Sequence, residues 1–130
     1  MTESILTSTK KNLGIEESYT AFDPDIILHI NSVFSTLNQL GIGPIDGFAI
    51  DDATAVWSYF LEGDLRLNSV KTYIYLRVRM LFDPPTTGYF VSAVQKQIEE
   101  LEWRLNVVRE FEDWPISEEL DDGILDGGGP

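Results

Sequence analysis

A chain of 130 residues is long enough for one modest core and too short for two. Nine basic against twenty-two acidic residues give a formal charge of −13, which argues against a nonspecific grip on nucleic acid, because phosphate binding needs clustered Lys and Arg. With no cysteine there is no disulfide frame, no thiolate metal site and no cysteine nucleophile. The N-terminal residues contain no run resembling a signal peptide, and no segment approaches the roughly 20 apolar residues of a membrane span. The expectation is a protein with no membrane partner, made in the cytoplasm.

Asp23-Pro24 is the first clear helix start in the chain, an N-cap side chain followed by proline at the first helical position, and Gly41 reads as a left-handed stop. Between them Ile26, Ile30, Val33, Leu37 and Leu40 recur by four and three and share one face, which predicts an amphipathic helix over residues 23–40. The stretch "GIGPIDGFAI", residues 41–50, holds three glycines and a proline and reads as a loop, with room for a short extended piece over residues 48–50. Asp51-Asp52 then caps a second, shorter helix through Leu61, with Ala53, Val56, Trp57 and Phe60 turned inward, and "EGDLRL" turns the chain again.

A third helix is expected from near Asn68-Ser69 to about Phe82. Val70, Tyr73, Ile74, Met80 and Leu81 form its apolar face, with Lys71, Thr72 and Arg79 opposite. Arg77 falls inside the apolar face, where an unpaired guanidinium is too costly to sustain. It must meet a carboxylate or several carbonyls, either at the edge of its own core or across a subunit boundary. Pro84 and Pro85 remove two backbone donors and push Asp83 out of the helical region, so the helix ends at a rigid elbow. Thr86 or Thr87 can cap a new helix directly after it. Val91, Val94, Ile98, Leu101, Leu105 and Val108 then step by three and four in a heptad-like seam, which predicts a fourth helix packed on the others with "EELE" solvated.

From residue 111 onward the composition changes. Glu112, Asp113, Glu118, Glu119, Asp121, Asp122 and Asp126, with no base among them, supply −7 of the −13, and the chain closes on "GGGP". Such a tail cannot build its own core. Its spaced anchors Phe111, Trp114, Ile116, Leu120, Ile124 and Leu125 suit an extended segment laid along another protein. The expected division is therefore a helical domain over residues 1–110 and an acidic extended tail over residues 111–130.

Chemistry finds little purchase here. His29 is a single histidine between Leu28 and Ile30, a surface or boundary residue of the first main helix with no metal-binding companions. Asp51-Asp52 is explained by capping, and "GIGPIDG" lacks the Lys-Ser/Thr pair of a phosphate loop. No nucleophile, base and orienter can be assembled, so catalytic, metal and cofactor sites are all expected to be missing.

Taken together, the "D-P-x-I" helix, the Gly-Pro loop, the Asp-Asp before an aromatic segment and "LNSVKTYIYLRVRMLFDPPTTGYFVSAVQKQIEELEWRLN" resemble the head-tail connector, or adaptor, proteins of tailed double-stranded-DNA bacteriophages. The resemblance is densest over residues 73–87 and 97–106, covers about residues 1–110, and leaves out the acidic tail. It implies an all-α, four-helix domain with a short N-terminal helix. It also implies a structural virion protein at the phage neck, with subunits assembled in a homo-oligomeric ring of about twelve copies. Portal protein and a stopper or tail-completion protein would be its neighbours, and DNA would pass through the ring without specific binding. The candidate partner or subunit interface comprises Arg77, Arg79, Pro84, Pro85 and Trp103, with Trp114, Ile116, Leu120, Ile124 and Leu125 in the tail. Two other readings fit parts of the sequence. One is an acidic binding module or DNA mimic whose carboxylates copy a phosphate track. The other is a stopper protein one ring further down, which the expected helix content disfavours.

Overall fold

A computed structural model describes residues 3–62 and 66–113, with side chains through residue 107; the tail anchors Trp114, Ile116, Leu120, Ile124 and Leu125 lie outside the described residues, as do the side chains of Val108 and Phe111. The described residues form five helices and no strand: α1 (Ile5–Asn12), α2 (Asp23–Gln39), α3 (Trp57–Phe60), α4 (Leu67–Phe82) and α5 (Gly88–Asp113). The main packing runs α1 on α2, α2 on α4 and α4 on α5.

The short N-terminal helix α1 begins where the Ser4 hydroxyl accepts from the Thr7 amide at 3.1 Å, and Lys10 and Lys11 in its last turn complement the helix dipole. Ile5 and Leu6 enter the core, and Lys10 is buried with them. Its ammonium is compensated by Asp23 Oδ1 at 2.8 Å and the Glu17 carbonyl at 3.0 Å. This ion pair corrects the expected role of Asp23. The N-cap of α2 is Phe22, Asp23 is the first helical residue, and its carboxylate faces α1 instead of capping its own helix.

The inward residues Ile26, Ile30, Val33 and Leu37 of α2 are all buried, as their spacing predicts, together with Phe34. Gly41, at φ +82°, ends the helix. Its amide donates to Asn38 and the Ile42 amide donates to Leu37, so two otherwise orphaned carbonyls are satisfied while Ile42 folds back into the core. The loop beyond is held from below. Asn31 donates to the Ile50 carbonyl at 3.0 Å and accepts from the Ile50 amide at 2.8 Å, occupying both backbone groups that a strand would have paired. Residues 48–50 are accordingly not a strand.

The expected helix over residues 51–61 shrinks to the single turn α3, with Val56 as N-cap. Asp52 instead accepts from both the amide and the hydroxyl of Thr54, at 2.9 and 2.6 Å, which folds a local turn and lowers the Asp52 pKa. The next residues pair with the N-terminus: the Ile5 amide donates to Ala55, the Trp57 amide donates to Glu3, and Ser4 and Val56 form an isolated antiparallel bridge. With the Ala55 carbonyl and the Trp57 amide committed there, neither can serve a helical hydrogen bond, and the helix begins only at Trp57. Trp57 and Phe60 do turn inward, whereas Ala53 is exposed and Val56 half-buried. The Trp57 indole donates to Ser8 at 2.9 Å, and Phe60 joins Phe34 and Phe48 in an aromatic cluster with centroids 4.6 to 5.3 Å apart.

On α4 the buried face is Val70, Tyr73, Ile74 and Val78. Leu81, assigned to that face from the sequence, is 46% exposed, and Met80 is only half-buried. The face turns away from the core in the last turn, where the aromatic contact passes to Phe82, packed edge-on against Phe22 and His29. His29 is thus the boundary residue its position suggests. After the elbow, the Thr87 hydroxyl caps α5 through the Phe90 amide at 3.4 Å. The seam residues Ile98 and Leu105 are buried, and Val91, Val94 and Leu101 are half-buried.

Gly43 shows how tightly the loop is drawn down. It sits at φ +92°, and a Cβ there would lie 2.4 Å from Phe60 Cε1 and 2.9 Å from Phe60 Cζ. Gly14, at φ +81°, has open space around it. Gly14→Ala is therefore expected to cost only the backbone term, about 1 kcal/mol, and Gly43→Ala that plus overpacking, about 2–4 kcal/mol in all. Thermal melts followed by circular dichroism check the order; equal losses would mean that Phe60 moves aside freely.

Candidate assembly surface

The site is built from the junction of α4 and α5. Arg79 Nε donates to the Asp83 carbonyl at 2.7 Å, closing the end of α4 from the side chain, and the Asp83 amide still donates to the Arg79 carbonyl at 2.8 Å. Pro84 and Pro85 cannot extend the ladder, so α4 ends at Phe82 and α5 does not begin until Gly88. The reversed chain lays the α5 seam against α4.

Within that contact lies a three-membered polar group. Tyr73 Oη donates to Glu102 Oε2 at 2.7 Å, and Arg77 Nη1 donates to the same carboxylate at 3.0 Å and to Tyr73 Oη at 3.1 Å. Arg77 also lies over the Tyr73 ring, 5.7 Å from its centroid. The carboxylate that the buried face demands for Arg77 is thus Glu102 of the same chain. Burial raises the Tyr73 pKa well above 10.0, and the Glu102 carboxylate that accepts its proton raises it further, with Arg77 acting in the opposite direction. Glu102 was not singled out by sequence, because it sits in "EELEW" among acids that all read as solvated.

The elbow also shapes a groove. Leu76 and Arg79 line it from α4, Asp83, Pro84, Pro85 and Thr86 from the elbow, Phe90 and Val94 from α5, and Asn12 from α1. It encloses about 520 Å³. Of the sequence-derived candidates it gathers Arg79, Pro84 and Pro85. Arg77 is engaged with Glu102 instead, and Trp103 stands apart on the outer side of α5, 65% exposed. Tyr89 and Phe90, 78% and 57% exposed, were missed. Their signal was available, since neither falls on the seam positions and both come directly after the cap. Among the described residues no group of three or more His, Asp or Glu could hold a metal ion, and no helix is long and apolar enough to cross a membrane.

A family model described as Phage connector protein matches residues 5–112, from the first residue of α1 to the penultimate residue of α5. The chain belongs to the phage connector family. No curated protein and no solved structure matches it. Membership makes this connector a structural component of the phage neck, a part of the virion where it assembles with other phage proteins, in a family that is not typically enzymatic.

The polar group gives the connector a titration signature. A Tyr73 pKa raised in the folded state favours the folded chain fully below pH 10, the unfolded value, and that contribution is lost as pH rises from there towards the folded pKa. Wild type should lose up to about 1.4 kcal/mol per pH unit more than Tyr73→Phe in the range above pH 10. Urea titrations of both chains from pH 9 upward measure the difference; parallel slopes would remove Tyr73 from the polar group.

Proposed function

We propose that this connector forms the adaptor ring between the portal and the tail or stopper proteins at the phage neck, in about twelve copies, with DNA passing through it. The observation that carries the reading is the family match across residues 5–112, which reaches all five helices. Charge supports it. A channel that must let a duplex slide should not hold phosphate, and a subunit of −13 repels it. The exposed surface of α5 supports it as well: Tyr89, Phe90 and Trp103 are large aromatic groups on a helix whose main partner is α4, and lateral packing in a ring would remove them from water. In this reading residues 1–110 form the body of each ring subunit. Arg79, Pro84, Pro85 and Trp103 lie at or near subunit contacts, Arg77 sets the helix angle those contacts need, and residues 111–130, of which 111–113 continue α5, are the segment that binds outside its own subunit.

The test is addition of purified connector to portal-bearing heads that lack it. Electron microscopy should show a ring at the portal and restored tail attachment. A chain that ignores heads but binds a basic enzyme as a monomer, with affinity collapsing in salt, would instead be the acidic mimic.

The elbow supplies a second check. Pro84→Ala with Pro85→Ala removes restriction of the chain and little contact energy. Ring formation by sedimentation should fall more than the melting temperature does. Equal losses would mean that the prolines serve folding alone.

A further inference from the structure

We propose that the elbow groove is the receptor for the acidic tail of a second copy of this chain, with Ile124 and Leu125 as the inserted side chains and Asp126 or Asp122 paired to Arg79. This deepens the ring reading and rests on it, because it names what joins one subunit to the next.

Three observations converge on this occupant. The groove offers apolar walls, Leu76, Phe90 and Val94, beside a guanidinium whose ε nitrogen holds the Asp83 carbonyl. Among the described residues the two terminal nitrogens of Arg79 have no hydrogen bond. The tail contains the matching pattern in "DDGILDG", residues 121–127, an aliphatic pair bracketed by acids in a segment with no base. Asp83 Oδ2 already lies 4.0 Å from Arg79 Nε, so the local charge fit is partial, and with both partners acidic overall apolar insertion must supply most of the attraction.

Reach and repulsion decide whose tail it is. Val94 lies nineteen residues before Asp113, the last residue of α5, or about 28 Å along the helix. Trp114 and Ile116 are within about 10 Å of that end and cannot return to their own groove; Ile124 and Leu125, at about 40 Å of fully extended chain, can. To do so the tail would have to run back along α5, placing Glu118, Glu119, Asp121 and Asp122 beside Glu99, Glu100 and Glu102. That path follows a helix with six acids against three bases, so its net charge opposes the tail even though Glu100 and Glu102 are paired with Arg104 and Arg77. A neighbour's groove requires no such path. Repeated head to tail, the contact is heterologous, the type that closes into a ring when its rotation allows.

Two full-length variants test it without altering the core. Phe90→Ser breaks the receptor at an exposed position, and Ile124→Ser with Leu125→Ser breaks the insert. Melting temperatures should stay near that of wild type. In sedimentation the wild type should self-associate with rising concentration, and each variant should do so at least about tenfold more weakly, a change of about 1.4 kcal/mol. Mixing the two variants should restore pairs and nothing larger, since one intact tail meets one intact groove. Arg79→Gln should weaken association by a smaller factor. Wild type that stays monomeric, variants that associate as well as wild type, or a mixture that restores nothing would each overturn the proposal. Head attachment by a wild type that fails this test would leave the adaptor reading standing and remove only the tail as its joint.

Discussion

Two missing backbone donors, at Pro84 and Pro85, govern the α4–α5 half of this molecule. A helix cannot continue through them, and the ring of the first proline also bars its predecessor from helical geometry. Without that interruption α4 and α5 would form one long rod with the seam of α5 facing water. The break folds the rod, and burial of Ile98 and Leu105 then holds the second half against the first. The elbow groove and the outward presentation of Tyr89, Phe90 and Trp103 are by-products of the same reversal.

The other half is organised around the N-terminus. α1 is eight residues long, too short to be stable by itself. Its order comes from backbone pairing with residues 55–57, from the Trp57–Ser8 bond and from the Lys10–Asp23 ion pair beneath it. Lys71 strengthens the seam between the halves by reaching Glu3 at 2.8 Å while lying over the Trp57 ring. The N-terminal segment therefore acts as a strap across the loop, and the family match beginning at its first helical residue agrees with its being integral to the domain.

The sequence was legible where a signal is local and periodic. α2, α4 and α5 announce themselves by apolar spacing, Gly41 by the left-handed position it alone fits comfortably, and the elbow by its prolines. It was misleading where two local rules compete. Asp51-Asp52 could cap a helix or fold a turn onto Thr54, and the choice was made by the backbone pairs Glu3–Trp57 and Ile5–Ala55, whose members lie about fifty residues apart in sequence. It was silent where function depends on assembly of distant parts. Arg77 demanded a carboxylate, but nothing marked Glu102, twenty-five residues away, above its neighbours Glu99 and Glu100. The groove needed Asn12 from α1 as well as the elbow, so only three of its residues could be named in advance. The family resemblance supplied the role, which no periodicity contains.

The Tyr73–Arg77–Glu102 group also has a mechanical meaning. Glu102 lies fourteen residues beyond Gly88, about 21 Å along α5 from the elbow. Hydrogen bonds such as those at 2.7 and 3.0 Å tolerate about 0.5 Å of displacement before they weaken. At that radius, about 0.5 Å corresponds to about 1.4° of swing, so the polar group acts as a protractor for the hinge. In the proposed ring of identical copies each angular error would be added at every joint, and about twelve errors of a few degrees would leave a gap the width of a side chain or more. Under that proposal, precision at one carboxylate on one helix is the quantity that would decide whether a circle closes or a spiral grows.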